Sequence, residues 1–80
     1  MTPEEILEKI LPLFVDILED ENVHIDLTTT AQDVDNWDSL THLQMMVAIE
    51  KQFKIRFTAS EIEGFANVGE ICKTVATRIQ

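Results

Sequence analysis

The chain has 80 residues, enough for a single domain (1–80) with a thin core, and its 15 acidic against 6 basic residues give a formal net charge of −9. A surface of that sign repels phosphate backbones and anionic membranes, so we expect no nucleic-acid or membrane binding but partners with basic patches. A single cysteine, Cys72, allows no internal disulfide, and the longest uncharged stretch (39–49) is too short to span a bilayer. Both observations favour a cytoplasmic protein.

The first predicted element is a helix that begins near Thr2, with Pro3 in its first turn. Its apolar residues recur at helical spacing: Ile6, Leu7, Ile10, Leu11, Phe14, Ile17 and Leu18. Pro12 removes a backbone donor within this pattern, which predicts either a kink or a break. We expect a kinked helix, because the apolar stripe keeps its phase on both sides of Pro12.

A long connection from residue 20 to residue 37 follows, with no sustained helical period. We expect one short turn within 30–34. Three apolar residues are expected to point inward: Leu27, Ala31 and Val34. A connection of this length in a small domain usually has a function or packing of its own.

A second helix is predicted from Asp38 or Ser39 to about Phe53. Its apolar residues at helical spacing predict a buried stripe: Leu43, Met46, Ile49 and Phe53. The neighbouring methionines, Met45 and Met46, are most simply adaptable core or interface fillers.

Two capping patterns predict the remaining helices. Thr58 with Glu61 is read as a capping box, in which each side chain bonds to the backbone amide of the other residue, at the start of a short third helix. Asn67 with Glu70 repeats that reciprocal arrangement at the start of a last helix, whose apolar stripe leads to Ile79. The predicted fold is therefore all-α, a four-helix bundle with a short third helix and a long loop between helices 1 and 2.

The segment Asp35-Asn36-Trp37-Asp38-Ser39-Leu40 places a serine hydroxyl in the first turn of the second predicted helix. The unpaired amides and the dipole of a helix start favour a phosphate-type anion, and a serine at this position is exposed. Asp-Ser at a helix start is also a common capping pattern. The residues alone leave both interpretations open.

Four landmarks stand in order between Asp38 and Ile79. They are Asp38-Ser39-Leu40, the helix end 47–53, the strand-like Ile55-Arg56-Phe57 and Val68-Gly69-Glu70. In this order and spacing they closely resemble the acyl carrier protein family. The first helix and the long loop agree with the family in layout but carry no diagnostic motif.

The resemblance implies that a separate phosphopantetheinyl transferase moves 4′-phosphopantetheine from coenzyme A to the Ser39 hydroxyl. The thiol of that arm then carries acyl groups as thioesters between enzymes of fatty-acid, polyketide or related lipid biosynthesis. Asp38 matches the family position that helps to hold a metal ion in the transfer complex, whereas the chain has no metal site of its own. The resemblance implies a monomeric carrier that is not an enzyme, with an aminoacyl or peptidyl carrier as the alternative.

The second helix departs from the family in its charge. Fatty-acid carriers have carboxylates directly after Asp-Ser-Leu and three residues later, where this chain has Thr41 and Gln44. With Leu40 and Val47, these two residues form the predicted recognition face, which suits partners with basic and apolar docking patches. The acidic residues lie instead around the first helix end and the loop: Asp16, Glu19, Asp20, Glu21, Asp26, Asp33 and Asp35. We therefore expect a specialised rather than a housekeeping carrier.

Two aromatic residues flank the serine. Trp37 is expected to bury its ring against the loop, and His42 is expected to be hydrogen-bonded or half-buried rather than catalytic. Cys72 is expected to be a small buried side chain with an unreactive thiol.

Three other classes compete with a carrier. The strongest is an unmodified acidic helical adaptor, in which Ser39 is only part of a cap. A calcium-binding hand around Asp33 and Asp35 lacks the central glycine, and has Gln44 where the bidentate glutamate belongs. A serine hydrolase built on Ser39 and His42 would need a sheltered site that 80 residues hardly provide.

Overall fold

The structure, a computed structural model, describes residues 1–79. Four α-helices follow in chain order: α1 (Pro3–Leu18), α2 (Ser39–Phe53), α3 (Ala59–Gly64) and α4 (Val68–Arg78). One 3₁₀ turn, Ala31–Asp33, lies in the long connection between α1 and α2, within the stretch where a short turn was predicted. The predicted all-α bundle with a short third helix is confirmed. In the part of the chain that the structure describes, the strand-like segment 55–57 forms no strand.

Helix α1 begins as predicted at Thr2, whose hydroxyl accepts from the Glu5 amide while the Glu5 carboxylate accepts from the Thr2 amide. The helix runs through Pro12 without a break, and ends at Glu19 in a left-handed conformation. One residue per turn is fully buried: Ile6, Ile10, Phe14 and Leu18. Pro12 is exposed on another face of α1, so the lost backbone hydrogen bond leaves the buried stripe intact.

The predicted buried face of α2 is partly wrong. Met45, Met46 and Ile49 are the buried residues, whereas Leu43 is 49% exposed and Phe53 is half-buried. Leu43 lies instead with the exposed Leu40 and Val47, because positions 40, 43 and 47 share one side of a helix. The exposed set 40, 43 and 47 has the same three-four spacing that is taken to indicate a buried stripe, so spacing alone does not identify the buried face of α2.

The caps of the last two helices differ in detail. Thr58 and Glu61 form the predicted reciprocal box at α3. At α4, the Asn67 side chain accepts from the Glu70 amide, but the Glu70 carboxylate accepts from the amide of Ala66 rather than from that of Asn67. The prediction of a second reciprocal box was therefore wrong.

The long loop is attached to the first turn of α4 by two backbone hydrogen bonds. The Gly69 amide donates to the Leu27 carbonyl (2.7 Å), and the Val68 amide donates to the Thr29 carbonyl (2.9 Å). Ile25 and Thr29 are the buried residues of the loop, whereas the three residues expected to point inward are only half-buried. The loop thus has packing of its own.

Helix α1 forms the centre of the bundle and packs against both α2 and α4. Cys72 of α4 is fully buried, as predicted, and burial raises the pKa of its thiol to about 11. No helix within residues 1–79 is both long enough and apolar enough to cross a membrane.

Candidate functional site

Ser39 is the first residue of α2 and is exposed. Asp38 precedes it as the helix cap, and its Oδ1 accepts hydrogen bonds from the amides of Leu40 (3.0 Å) and Thr41 (2.9 Å). The hydrogen bonds that shape this turn therefore run through residues on either side of Ser39. The Ser39 side chain is therefore open to solvent while its neighbours hold the cap.

The Thr41 side chain contributes mainly to the turn that begins α2 and less to the exposed surface of that helix. Its hydroxyl accepts from the Asp38 amide (2.8 Å) and donates to the Asn36 carbonyl (2.8 Å), so it links the end of the loop to α2. Asn36 has a positive φ of 71°, a conformation that asparagine tolerates better than most residues. Of the four residues of the predicted recognition face, Leu40, Gln44 and Val47 are exposed and Thr41 is half-buried.

The cap keeps the Asp38 carboxylate ionised. The Thr41 amide contributes most, and together with the Thr41 hydroxyl and the Leu40 amide it lowers the pKa of Asp38 below its ordinary value of 3.8. A carboxylate at a helix N-terminus is also favoured by the helix dipole. The site at neutral pH thus pairs an anionic Asp38 with an uncharged, accessible hydroxyl.

We expect Asp38→Ala to lower the free energy of unfolding at pH 7, with the difference from wild type shrinking as the pH falls below about 3.8. A carboxylate with a lowered pKa in the folded state stabilises the fold above its unfolded pKa, and this contribution disappears as the carboxylate is protonated. Urea unfolding at a series of pH values measures the difference. Asp38→Asn is the control, because asparagine also caps but does not titrate. A difference between Asp38→Ala and wild type that is constant across pH would contradict this prediction.

Trp37 and His42 form a hydrogen-bonded pair beside the serine. The Trp37 Nε1–H donates to His42 Nδ1 (3.0 Å), and His42 Nε2 lies 2.8 Å from the Ile62 carbonyl oxygen of α3. The indole can only donate and the carbonyl can only accept, which assigns Nδ1 as the acceptor and Nε2 as the donor in these two contacts. The prediction of a hydrogen-bonded, half-buried His42 is confirmed. Because both ring nitrogens are engaged, neither is available to remove a proton from Ser39, which argues against a hydrolase.

The ring of Trp37, which was expected to be buried against the loop, is half-buried and contacts two helices. Its ring packs against Phe14 of α1, with centroids 5.3 Å apart, and stacks on His42 of α2 at 5.9 Å. Trp37 therefore joins the start of α2 to the core of the bundle. Nothing in its local sequence specifies this, because Phe14 lies 23 positions earlier in the chain.

A shallow groove of about 620 Å³ lies beside Ser39. Its walls come from the loop, α2 and α3, and include Ala31, Trp37, His42, Leu43, Ile62 and Phe65. The surface of α2 next to the groove carries a strip of three exposed apolar residues, Leu40 (65% exposed), Leu43 (49%) and Val47 (41%). The sequence analysis missed Leu43 as a surface residue and Ile62 as a groove residue; the alternative three-four phase of α2 was the signal that could have identified Leu43.

Of the seven acidic residues predicted around the end of α1 and the loop, six are exposed, and the exception is Asp26. Asp26 is half-buried, and its carboxylate accepts from the amide and the hydroxyl of Thr28. Across residues 1–79, no three His, Cys, Asp or Glu side chains converge in a way that could hold a metal ion.

Comparisons with known proteins cover almost the whole chain. The family model described as "Phosphopantetheine attachment site" matches residues 8–75, a segment that includes Ser39. An acyl carrier protein of Prochlorococcus marinus (strain MIT 9515) is 28% identical over 78 residues, 98% of either chain. The solution NMR structure of a holo acyl carrier protein from Geobacter metallireducens superposes with a TM-score of 0.84 and 32% identity, covering 91% of this chain and 84% of that one.

Proposed function

This chain belongs to the acyl carrier protein family, which bears a covalently attached phosphopantetheine, and we propose that Ser39 is the residue to which the arm is attached. The observation that carries the assignment is the exposure of Ser39 at the first position of α2, inside the segment that the family model matches. The only other serine, Ser60, is also exposed near a helix start. It lies in the six-residue α3, without the preceding aspartate cap.

The attachment needs no catalytic group from this chain. The Ser39 oxygen forms a bond to the phosphorus that carries pantetheine in coenzyme A, and the bond from that phosphorus to the adenosine-bisphosphate part breaks. A separate phosphopantetheinyl transferase supplies the base that takes the serine proton. Asp38 is proposed to contact the metal ion that the transferase brings. The chain itself is proposed to be a carrier without enzymatic activity.

The loaded arm is proposed to deliver acyl intermediates as thioesters between enzymes of fatty-acid, polyketide or related lipid biosynthesis. An aminoacyl or peptidyl cargo is the alternative, because the arm is the same. We propose that the carrier acts as a cytoplasmic monomer. We also propose that it serves a dedicated pathway, because no carboxylate follows Ser39 on α2 before Glu50. Its partners would contact the apolar strip of Leu40, Leu43 and Val47 together with Gln44, and carry basic groups toward the acidic loop.

Intact-mass analysis after incubation with coenzyme A and a promiscuous phosphopantetheinyl transferase tests the attachment. We expect wild type and Ser60→Ala to gain the mass of one arm, and Ser39→Ala to gain none. Ser60→Ala is a matched control, because it removes the same hydroxyl from an exposed helix start. If several transferases left the wild type unmodified, the assignment would be wrong and the adaptor interpretation would replace it. If Ser39→Ala were modified, the arm would be attached at another residue and the assignment to Ser39 would be wrong.

The buried cysteine allows a second, independent test of the attachment, in which reactive thiols are counted. Cys72 is fully buried and its thiol pKa is raised to about 11, so it should react slowly with a thiol reagent in the folded protein. We expect the native apo protein to show no fast-reacting thiol and the native holo protein to show one. Denaturation should add one further thiol to each form.

A further inference from the structure

We propose that His42 is a latch between α2 and α3 that keeps the cargo of the arm outside the bundle, in the groove beside Ser39. This inference rests on the proposed attachment to Ser39. It assigns a specificity-determining role to a side chain that the attachment chemistry does not use, and predicts that the carrier suits short or polar acyl groups.

The first argument is the position of His42 between the attachment point and the core. Ser39, His42 and Met46 follow at spacings of three and four residues, so they lie on one side of α2. Ser39 is exposed, His42 is half-buried and Met46 is fully buried. An acyl chain that left Ser39 toward the buried methionines would meet the His42 ring first.

The second argument is that His42 bridges three parts of the fold. One ring nitrogen accepts from Trp37 at the end of the loop, and the other donates to the carbonyl oxygen of Ile62 in α3. The Trp37 ring is in turn fixed against Phe14 of α1. Moving α3 away from α2 therefore breaks the hydrogen bond from His42 to Ile62. One of the two His42 ring nitrogens, both of which are hydrogen-bonded in this structure, then loses its partner.

The third argument is that α3 has few other anchors. None of its six residues is fully buried, and the main helix-to-helix packing joins α1 to α2 and α1 to α4. Outside the His42 contact, the half-buried Ile62 side chain packs against the core, and Glu61 pairs with Arg78 of α4. Phe65, after the end of α3, packs edge-on against Phe57 at 5.4 Å. The Ile62 carbonyl is the point where the middle of α3 is hydrogen-bonded to α2. Removing this link should loosen α3 more than any other part of the bundle.

The latch itself can be tested on the apo protein, with Trp37 as the reporter, because the chain has one tryptophan and no tyrosine. His42→Leu keeps an apolar filler but loses both hydrogen bonds. It should increase acrylamide quenching of Trp37 and speed amide exchange in α3. His42→Gln can still accept from Trp37 and donate to Ile62, so it should resemble the wild type. His24→Leu, at the only other histidine and an exposed one, is the control for removing a histidine. Unchanged quenching and exchange in His42→Leu would overturn the latch.

The effect on cargo is tested on protein loaded with acetyl or octanoyl pantetheine, by the rate of thioester cleavage by hydroxylamine. Each rate is normalised to that of the corresponding free pantetheine thioester. In wild type and in His42→Gln, hydroxylamine should cleave the acetyl and octanoyl thioesters at the same normalised rate. Octanoyl-loaded His42→Leu should react roughly fivefold more slowly, because a chain inside the bundle exposes its thioester only in the open fraction of molecules.

The outcomes separate the two proposals. If the wild type accepts the arm but protects octanoyl relative to acetyl as strongly as His42→Leu does, the latch is wrong and the attachment stands. Equal normalised rates for both cargoes in His42→Leu would also overturn the latch. If no arm is attached to Ser39, the intact-mass measurement shows it, and both proposals fail together.

Discussion

Replacing Phe14 by alanine is expected to lower the free energy of unfolding by about 3–5 kcal/mol, the usual cost of deleting a buried aromatic ring. Phe14 is completely buried in α1 and its ring contacts Trp37, so the substitution leaves a cavity at the junction of α1, the loop and α2. At roughly 0.05–0.15 kcal/mol per residue, an 80-residue domain has about 4–12 kcal/mol of stability in total. The variant should therefore be close to unfolding at 37 °C.

Urea unfolding followed by far-UV circular dichroism measures this cost without relying on the altered surroundings of Trp37. Phe53→Ala is the matched control, because Phe53 is the same residue type at the end of α2 but is only half-buried. We expect its loss to be less than half that of Phe14→Ala. Equal losses in the two variants would contradict a core centred on α1.

Gly69→Ala is expected to cost about 1–3 kcal/mol, in the range of overpacking substitutions. A Cβ at this position would lie 2.7 Å from the Leu27 carbonyl oxygen and 3.2 Å from Asn67 Oδ1. The backbone cannot easily retreat, because the Gly69 amide donates to that same Leu27 carbonyl. The variant should loosen the loop from α4, and amide exchange at Gly69 and Val68 should accelerate along with the loss of stability.

Gly64→Ala provides the control for adding a methyl group to a helical glycine. A Cβ at Gly64 would have no heavy atom within 4 Å, and alanine is the better helix former by up to about 1 kcal/mol. We expect Gly64→Ala to be neutral or slightly stabilising. If Gly69→Ala were equally well tolerated, the close approach of the loop to α4 would not be a constraint on the fold.

The features that the sequence determined by itself depend on residues within about four positions of one another. Thr2 with Glu5, Thr58 with Glu61 and the Asp38 cap were predictable because each side chain bonds to backbone amides of its own first turn. The same locality placed Ser39 at the start of a helix. Its proposed role needed the family resemblance as well, because an Asp-Ser cap has the same local chemistry whether or not the serine is modified.

Only the tertiary structure decided which apolar residues face inward and what the polar rings contact. On α2 the three-four spacing fits more than one face. Packing against α1 selects Met45, Met46 and Ile49 for the core and leaves Leu43 exposed. The hydrogen bond from His42 to Ile62 and the approach of Gly69 to Leu27 likewise join segments far apart in the chain. Such contacts follow from how helices and loops pack against one another, and no spacing within a single segment encodes that geometry.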